Sequence, residues 1–212
     1  LAFGLKGDRA TAVKFMDANG KLCLDPNRDI NNPYIPYRDW AICRIKNVNG
    51  MNVEYSYYDN YDRKMLYKGA FFRKELEYND VGKIVKASFY DEYDNLTRDE
   101  TGSCITETQY DADNPNLPSS FTFKKDKDNI CNNNMGVARV YMTYYPNGKI
   151  KSESYFNEEN APAHPNGVHS YTYEYDDRNR LILVTAMKEG GLPAVQAQNK
   201  CHKMEYVYGN DN

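Results

Sequence analysis

The sequence predicts an all-β fold, in which antiparallel hairpins repeat about every 32 residues as a meander and form an elongated open sheet. Three observations predict it. Tyrosines recur at a nearly constant spacing, polar and apolar residues alternate in the segments around them, and turn residues separate those segments. No stretch shows a sustained period of 3.6 residues, so we expect little helix.

The composition of the 212 residues favours half-buried strands. There are 20 tyrosines against 8 phenylalanines and one tryptophan, and the mean hydropathy is -0.84. A tyrosine ring has apolar faces and a hydroxyl that needs a partner, which suits a strand with one wet side. The net charge of -3 offers no positive field for nucleic acid. No apolar run approaches the roughly 18 residues of a membrane helix. We therefore expect neither a nucleic-acid partner nor a membrane-spanning segment.

The repeat is clearest in five tyrosines, which we call the anchor tyrosines. They are spaced 32, 34, 31 and 33 residues apart, and glycine or asparagine follows each of them four residues later. Pairs such as Asn147-Gly148 tolerate the positive φ that a tight hairpin turn needs. Each anchor is therefore predicted to end the first strand of a hairpin. The anchor tyrosines are Tyr78, Tyr110, Tyr144, Tyr175 and Tyr208.

A second turn and a polar connector complete each unit. The second turn is present in FYDEYDNL from Phe89 and in YFNEENAP from Tyr155, and FMDANGKL from Phe15 repeats it near the N-terminus. The connector then leads to the next first strand. One position of the connector is equivalent in successive units and is occupied by Gly102, Gly136, Gly167 and Lys200.

Alternation within the strands indicates β structure with one covered face. In SYTYEY, residues 170–175, three tyrosines alternate with Thr172 and Glu174. A period of two places the two sets on opposite faces of a sheet. Residues 181–184 are apolar throughout, which predicts a strand covered on both faces.

The chain is predicted to divide at residue 50. Residues 1–50 are interpreted as a divergent N-terminal unit or cap, with a Pro/Asn-rich loop at residues 25–37 and a buried strand at residues 40–45. Residues 51–212 form the array, because a lone hairpin is marginal in water and gains stability by lying against its neighbours. The predicted units are residues 72–103, 104–136, 137–168 and 169–201, with a partial unit at residues 202–212.

Two segments resemble known bacterial repeats. YYPNGKIKSESYF, residues 144–156, resembles the variant MORN repeat, and YEYDDRNRLI, residues 173–182, resembles the tyrosine-aspartate (YD) repeat. The resemblance covers residues 51–212, with residues 9–24 as an outlying piece, while Asn114-Pro115 and Gly209 depart from the pattern. It implies antiparallel hairpins that act as scaffolds or binding surfaces within larger proteins, without shared catalytic residues.

Histidine and cysteine offer no recognisable catalytic arrangement. His169 and His202 are predicted at strand starts 33 residues apart, where a backbone or water partner is commoner than a shared metal. Cys201 and His202 are neighbours in a strand and point to opposite faces, which argues against a nucleophile-base pair. His164 lies in a polar connector. The five cysteines lack C-x-x-C spacing, so we expect free thiols, with one incidental disulfide as the alternative.

Acidic residues cluster at the turns, as at Asp91 and Asp94. Such pairs can supply oxygen ligands to calcium, but no copy completes a calcium-loop pattern. The favoured interpretation is that Asp and Asn side chains hold the turns by bonding their own backbone. We therefore predict no catalytic residue, no metal site and no cofactor.

Exposed aromatic residues are the remaining candidates for binding. Rigid, amphipathic rings can stack on sugars or contact a protein partner, and the alternative is that they face the core. The candidates are Tyr141, Tyr145, Tyr171, Tyr173 and Trp40.

The leading hypothesis is a non-enzymatic β-repeat scaffold or recognition module of a bacterial cell-envelope or secreted protein. A cytoplasmic location stays open. The first residue is Leu1 rather than methionine, which predicts a processed chain or a piece of a larger protein. The alternatives are a glycan-binding module attached to a larger enzyme and a hydrolase within the array.

Overall fold

The structure is a computed structural model, and it describes residues 2–6, 9–23 and 40–209. The loop predicted at residues 25–37 and the last three residues of the predicted partial unit lie outside this range. The chain divides into two compact units, residues 1–106 and residues 107–212.

Thirteen strands are present in the described residues, and within each unit their order follows the sequence. The first unit contains β1 (Ala2–Lys6), β2 (Arg9–Lys14), β3 (Ile42–Val48), β4 (Met51–Tyr58), β5 (Arg73–Tyr78) and β6 (Ile84–Tyr90). The boundary falls within β7 (Ile105–Tyr110). The second unit contains β8 (Pro118–Lys124), β9 (Arg139–Tyr144), β10 (Ile150–Phe156), β11 (Ser170–Tyr175), β12 (Leu181–Met187) and β13 (Lys203–Glu205).

Successive strands pair in antiparallel register. The prediction of an all-β, open antiparallel meander of hairpins is thus confirmed. Helix is limited, in the part of the chain that the structure describes, to two three-residue 3-10 turns at Pro165–Gly167 and Glu189–Gly191. Strands β5, β7, β9 and β11 each end at an anchor tyrosine.

Each hairpin with a tight first turn carries a register shift close to that turn. In the second unit the shifts lie between Ile150 and Ser152 and between Glu174 and Tyr175. In the first unit they lie between Lys46 and Asn47 and between Glu77 and Tyr78. A bulge at this position bends the hairpin and changes the face that the following side chains reach.

The repeat is also a repeat of backbone hydrogen bonds. The N–H of Phe89 donates to the carbonyl oxygen of Cys104 (3.0 Å), and its carbonyl oxygen accepts the N–H of Thr97 (3.0 Å). In other repeats the equivalent residue makes the same two bonds, one to the segment after the second turn and one to the residue just before the next first strand. We call the residues at this position the column residues. They are Phe15, Tyr57, Phe89, Phe123, Tyr155 and Ala186.

The connectors cover one face of the strands. In the second unit, Val168 and Ala194 come from two connectors and pack with Ala186 of β12 and the half-buried Tyr171. In the first unit the covered face is aromatic, and Phe71 lies 4.8 Å from Phe89 between ring centroids. Of residues 181–184, predicted to be covered on both faces, Val184 is buried and residues 181–183 are half-buried.

The strand predicted over residues 40–45 begins two residues later, at Ile42. Ala41, Ile42 and Cys43 are buried, but Arg44 is exposed and pairs with Asp62 (2.7 Å). The strand is therefore buried only at its start. Beyond Cys43 exposed and half-buried residues alternate, because the charged side chains reach solvent.

Candidate functional site

The second unit contains an open groove of about 790 Å³. It lies on β10 and β11 beside the β9–β10 and β11–β12 turns. We call it the tyrosine groove. Its lining residues are Tyr145, Pro146, Asn147, Lys151, Ser152, Thr172, Tyr173, Glu174, Tyr175, Asp176 and Asn179.

Two tyrosine rings are held in place within the groove. The hydroxyl of Tyr145 donates a hydrogen bond to the backbone carbonyl oxygen of Tyr173 (3.0 Å). The ring of Tyr145 meets the ring of Tyr175 edge to face, with centroids 6.1 Å apart. The ammonium groups of Lys151 and Lys149 lie 5.8 Å from the centroids of the Tyr145 and Tyr175 rings, respectively. These contacts hold the two rings in a defined relative orientation.

Amides from two successive first turns meet at the rim of the groove. The side-chain amide of Asn147 donates to the side-chain oxygen of Asn179, at 2.6 Å. These residues are 32 positions apart, which is one repeat. Thr172 and Ser152 face each other across β10 and β11, and the Ser152 hydroxyl also bonds the Thr143 hydroxyl (2.7 Å). The floor of the groove is therefore polar, while its side is aromatic.

Two of the predicted binding tyrosines, Tyr145 and Tyr173, are brought together in the groove. The hydroxyl of Tyr173 donates to the Glu153 carboxylate (2.6 Å), and burial, aided by this carboxylate, raises the pKa of Tyr173. Tyr155 lies beside the same carboxylate, and burial followed by the negative charge of Glu153 raises its pKa as well. Both phenols therefore stay neutral at ordinary pH.

The structure places the other predicted binding residues elsewhere. Tyr171 packs beneath the connectors as part of the core. Tyr141 is 41% exposed and meets Phe156 edge to face (5.5 Å). Trp40 belongs to the first unit and packs between Phe15 (4.9 Å) and Tyr57 (5.7 Å). A binding role for these three residues stays a prediction.

Both strand-start histidines are bonded to the backbone. The Nδ1–H of His202 donates to the carbonyl oxygen of Ala186 (2.7 Å), and that of His169 makes a longer contact with Ala163 (3.4 Å). Each precedes the first strand residue by one position. The five cysteines are free thiols, of which three are buried. Burial raises the pKa of Cys43 to about 12, so this thiol is a poor nucleophile.

The acidic clusters hold turns. One carboxylate oxygen of Asp176 accepts the N–H groups of Arg178 and Arg180 (2.9 Å each), and the other accepts the Arg180 guanidinium (2.7 Å). The backbone N–H of Arg180 is the main cause that lowers the pKa of Asp176, against a smaller effect of burial. Within the described residues, no group of three or more His, Cys, Asp or Glu side chains is placed to hold a metal ion.

Most groove residues carried no sequence signal of their own. Lys151, Thr172 and Glu174 look like ordinary strand residues, and only the register of β10 against β11 brings them to one place. The spacing predicts Tyr175 as an anchor, but not as a groove residue. The 32-residue spacing of Asn147 and Asn179 is the one signal that could have joined these two turns.

No family model matches the chain, and no curated protein is significantly similar to it. Among the described residues, no helix is long and apolar enough to cross a membrane.

Proposed function

We propose that this chain is a non-enzymatic β-repeat scaffold and recognition module of a bacterial cell-envelope or secreted protein. The observation that carries the proposal is the column of paired backbone bonds, which repeats from Phe15 to Ala186. A fold built from such bonds gains stability from contacts between neighbouring repeats, so that side chains on its open surface are left for recognition. The resemblance to the MORN and YD repeats supports the same role.

The residues best suited to chemistry support a non-enzymatic role, because they are already used by the fold. Asp176, Asp126 and Asp59 accept hydrogen bonds from turn N–H groups. His202 bonds the carbonyl oxygen of Ala186 in β12, and His169 contacts that of Ala163 in a connector. A nucleophile or general base must instead face a position where a substrate can sit. Neither nucleic acid nor a cofactor is included among the proposed ligands.

A deletion of one repeat tests the scaffold part of the proposal. Removing residues 138–168 joins Val137 to His169, which occupies the position of Ala138 in the next repeat. The carbonyl oxygens of Ala138 and His169 each accept a bond from a column residue, and their N–H groups donate to the last residue of the next return strand, β10 or β12. The shortened chain should keep its β circular-dichroism spectrum and unfold cooperatively, with a smaller urea m-value because less surface is buried.

The matched control removes residues 138–153, which is half a repeat and joins positions that are not equivalent. This variant should lose cooperative unfolding. If the full-repeat deletion loses it as well, the chain is a closed domain rather than an array. Hydrolase activity that disappears in Cys201→Ala or His202→Ala would contradict the non-enzymatic part of the proposal.

A further inference from the structure

We propose that the tyrosine groove binds a neutral oligosaccharide. The inference rests on the proposed function, because it names the ligand class of a recognition surface. It is carried by three features of the groove, which are its fixed rings, its mixed hydrogen-bonding groups and its balanced charge.

The first feature is that the Tyr145 and Tyr175 rings present faces whose positions do not depend on a ligand. The bond from Tyr145 to the Tyr173 carbonyl and the edge-to-face contact with Tyr175 hold the two planes nearly at right angles, at 88°. A sugar ring has a flat face of C–H groups, which can pack against the flat face of a tyrosine ring. Little side-chain freedom is lost on binding, so more of the contact energy is available for affinity.

The second feature is the close spacing of donors and acceptors. A sugar hydroxyl both donates and accepts, so its site must offer both kinds of group within a short distance. The groove supplies the Thr172 hydroxyl, the Glu174 carboxylate, the Lys151 ammonium and the amides of Asn147 and Asn179. Its volume lies within the range of about 300 to 1,000 Å³ that is typical of small-ligand sites.

The third feature is the charge of the lining. Asp176 is neutralised by Arg180, which contacts it through two nitrogens at 2.7 Å. The remaining charges in the lining are Lys151 and Glu174, which are exposed and of opposite sign. The lining itself therefore carries no excess charge with which to attract an anionic or a cationic ligand, and the Lys149 ammonium, 5.8 Å from the Tyr175 ring centroid, adds a single positive charge beside it.

Peptide recognition by strand addition does not fit this place. That mode needs a strand with an unpaired edge. Strand β11 is bonded to β10 on one side and to β12 on the other. A ligand in the groove must therefore be recognised through side chains, as a sugar is.

The test is an array of neutral oligosaccharides, made of α- and β-linked hexose and N-acetylhexosamine oligomers, followed by titration of the ¹⁵N-labelled full chain with the best binder. Oligogalacturonate serves as an anionic comparison. We expect saturable binding of at least one neutral oligomer, with amide shifts centred on residues 172–175. Tyr175→Ala should weaken binding about tenfold or more, because a ring contact is lost. Glu174→Ala and Lys151→Ala, both at exposed positions, should weaken it about threefold to tenfold, since each removes a hydrogen-bonding group.

Tyr93→Ala is the matched control, because Tyr93 is 78% exposed on a turn of the other compact unit. It should leave affinity unchanged. If Tyr175→Ala fails to fold, the two exposed-charge variants decide. The inference is overturned if no neutral oligomer binds saturably, if none of the groove variants weakens binding, or if oligogalacturonate binds more tightly with strong salt dependence. If the repeat-deletion variant still unfolds cooperatively but the full-length chain binds no sugar, the scaffold proposal stands and only the proposed ligand class is wrong.

Discussion

The hydroxyl of Tyr144 donates a 2.7 Å hydrogen bond to the backbone carbonyl oxygen of Pro118, the first residue of β8. Tyr78 makes the same bond to Asn52, and Tyr208 makes it to Leu181, at 2.7 Å in each case. Donor and acceptor are 26 or 27 residues apart. In these three repeats the bond ties the anchor tyrosine to the start of the preceding return strand. It gives a physical reason for a phenol, rather than a phenylalanine ring, at these three anchor positions.

Replacing Tyr144 by phenylalanine should lower the free energy of unfolding by about 1 kcal/mol, since one hydrogen bond is lost while the ring still packs. Urea denaturation at neutral pH, followed by circular dichroism, measures it. Tyr93→Phe is the control, because this ring is largely exposed. Equal stability of the two variants would show that the anchor hydroxyl contributes nothing.

Arg73 fastens a second turn to the strands. Its guanidinium lies 4.1 Å from the Tyr90 ring centroid, bonds Asp94 in the turn (3.0 Å) and contacts Glu75, while the side chain is only 15% exposed. Arg73→Met should therefore cost about 2 kcal/mol, because charge-assisted bonds to its acidic partners are lost. Arg178→Met, at an exposed turn position, should change stability by less than about 0.5 kcal/mol. If Arg73→Met lowers the free energy of unfolding no more than the control does, the ion pairs of Arg73 are screened by solvent and contribute little to stability.

The strands were predictable because their ends are set by local chemistry. An anchor tyrosine followed by a turn residue fixed the ends of β5, β7, β9 and β11, and the Asp side chains hold the turns as expected. The start of β3 was missed by two residues. The apolar run from Trp40 contains no turn residue to mark where extended pairing begins.

The groove was less predictable than the strands. Tyr171, Tyr173 and Tyr175 read as one stripe, yet the rings of Tyr171 and Tyr173 lie 6.5 Å apart, while the Tyr175 ring meets Tyr145 in the groove. The bulge between Glu174 and Tyr175 separates Tyr175 from the other two, and the reach of the connectors places Tyr171 against the core. Both depend on packing between segments distant in sequence, which a strand's own alternation does not record.

The connector turn requires a left-handed residue in every repeat. Gly136 has φ 74°, and Lys200 has φ 54° at the equivalent place. A Cβ added at Gly136 would meet no atom within 4 Å, so only the backbone opposes a side chain there. Gly136→Ala should thus cost about 1 kcal/mol. Lys200→Gly should give a gain of up to about 1 kcal/mol as this strain is relieved. Thermal or urea unfolding tests both, and a gain for Gly136→Ala would contradict the argument.

The buried Cys43 thiol should resist alkylation. Burial raises its pKa from the ordinary 9.0 to about 12, so the thiolate fraction below pH 9 falls about a thousandfold. Iodoacetamide at pH 8, with mass spectrometry of the digested chain, should label the half-buried Cys23 and Cys201 before Cys43. In urea above the unfolding transition all three should react alike. Early labelling of Cys43 in the native protein would show that β3 opens readily.

Acid should destabilise the protein below the ordinary carboxyl pKa of 3.8. Hydrogen bonds from Asn129, and then from the Asp128 N–H, lower the pKa of Asp126, and turn N–H groups act similarly at Asp176. Because the folded pKa is below the unfolded one, the unfolded state binds more protons between the two values. The stabilisation is complete above pH 3.8 and is lost as pH falls through the folded pKa.

Asp126→Asn separates charge from hydrogen bonding at such a turn. Asparagine accepts the same backbone N–H groups, as Asn79 and Asn133 do in equivalent roles. The variant should therefore keep most of its stability at neutral pH, while the fall in stability below pH 3.8 becomes less steep, since one titrating group with a lowered pKa has been removed. Urea unfolding measured between pH 2 and 7 gives both quantities. An unchanged acid slope would mean that the Asp126 carboxylate titrates alike in the folded and unfolded chain, and that its turn bonds do not distinguish the charged form.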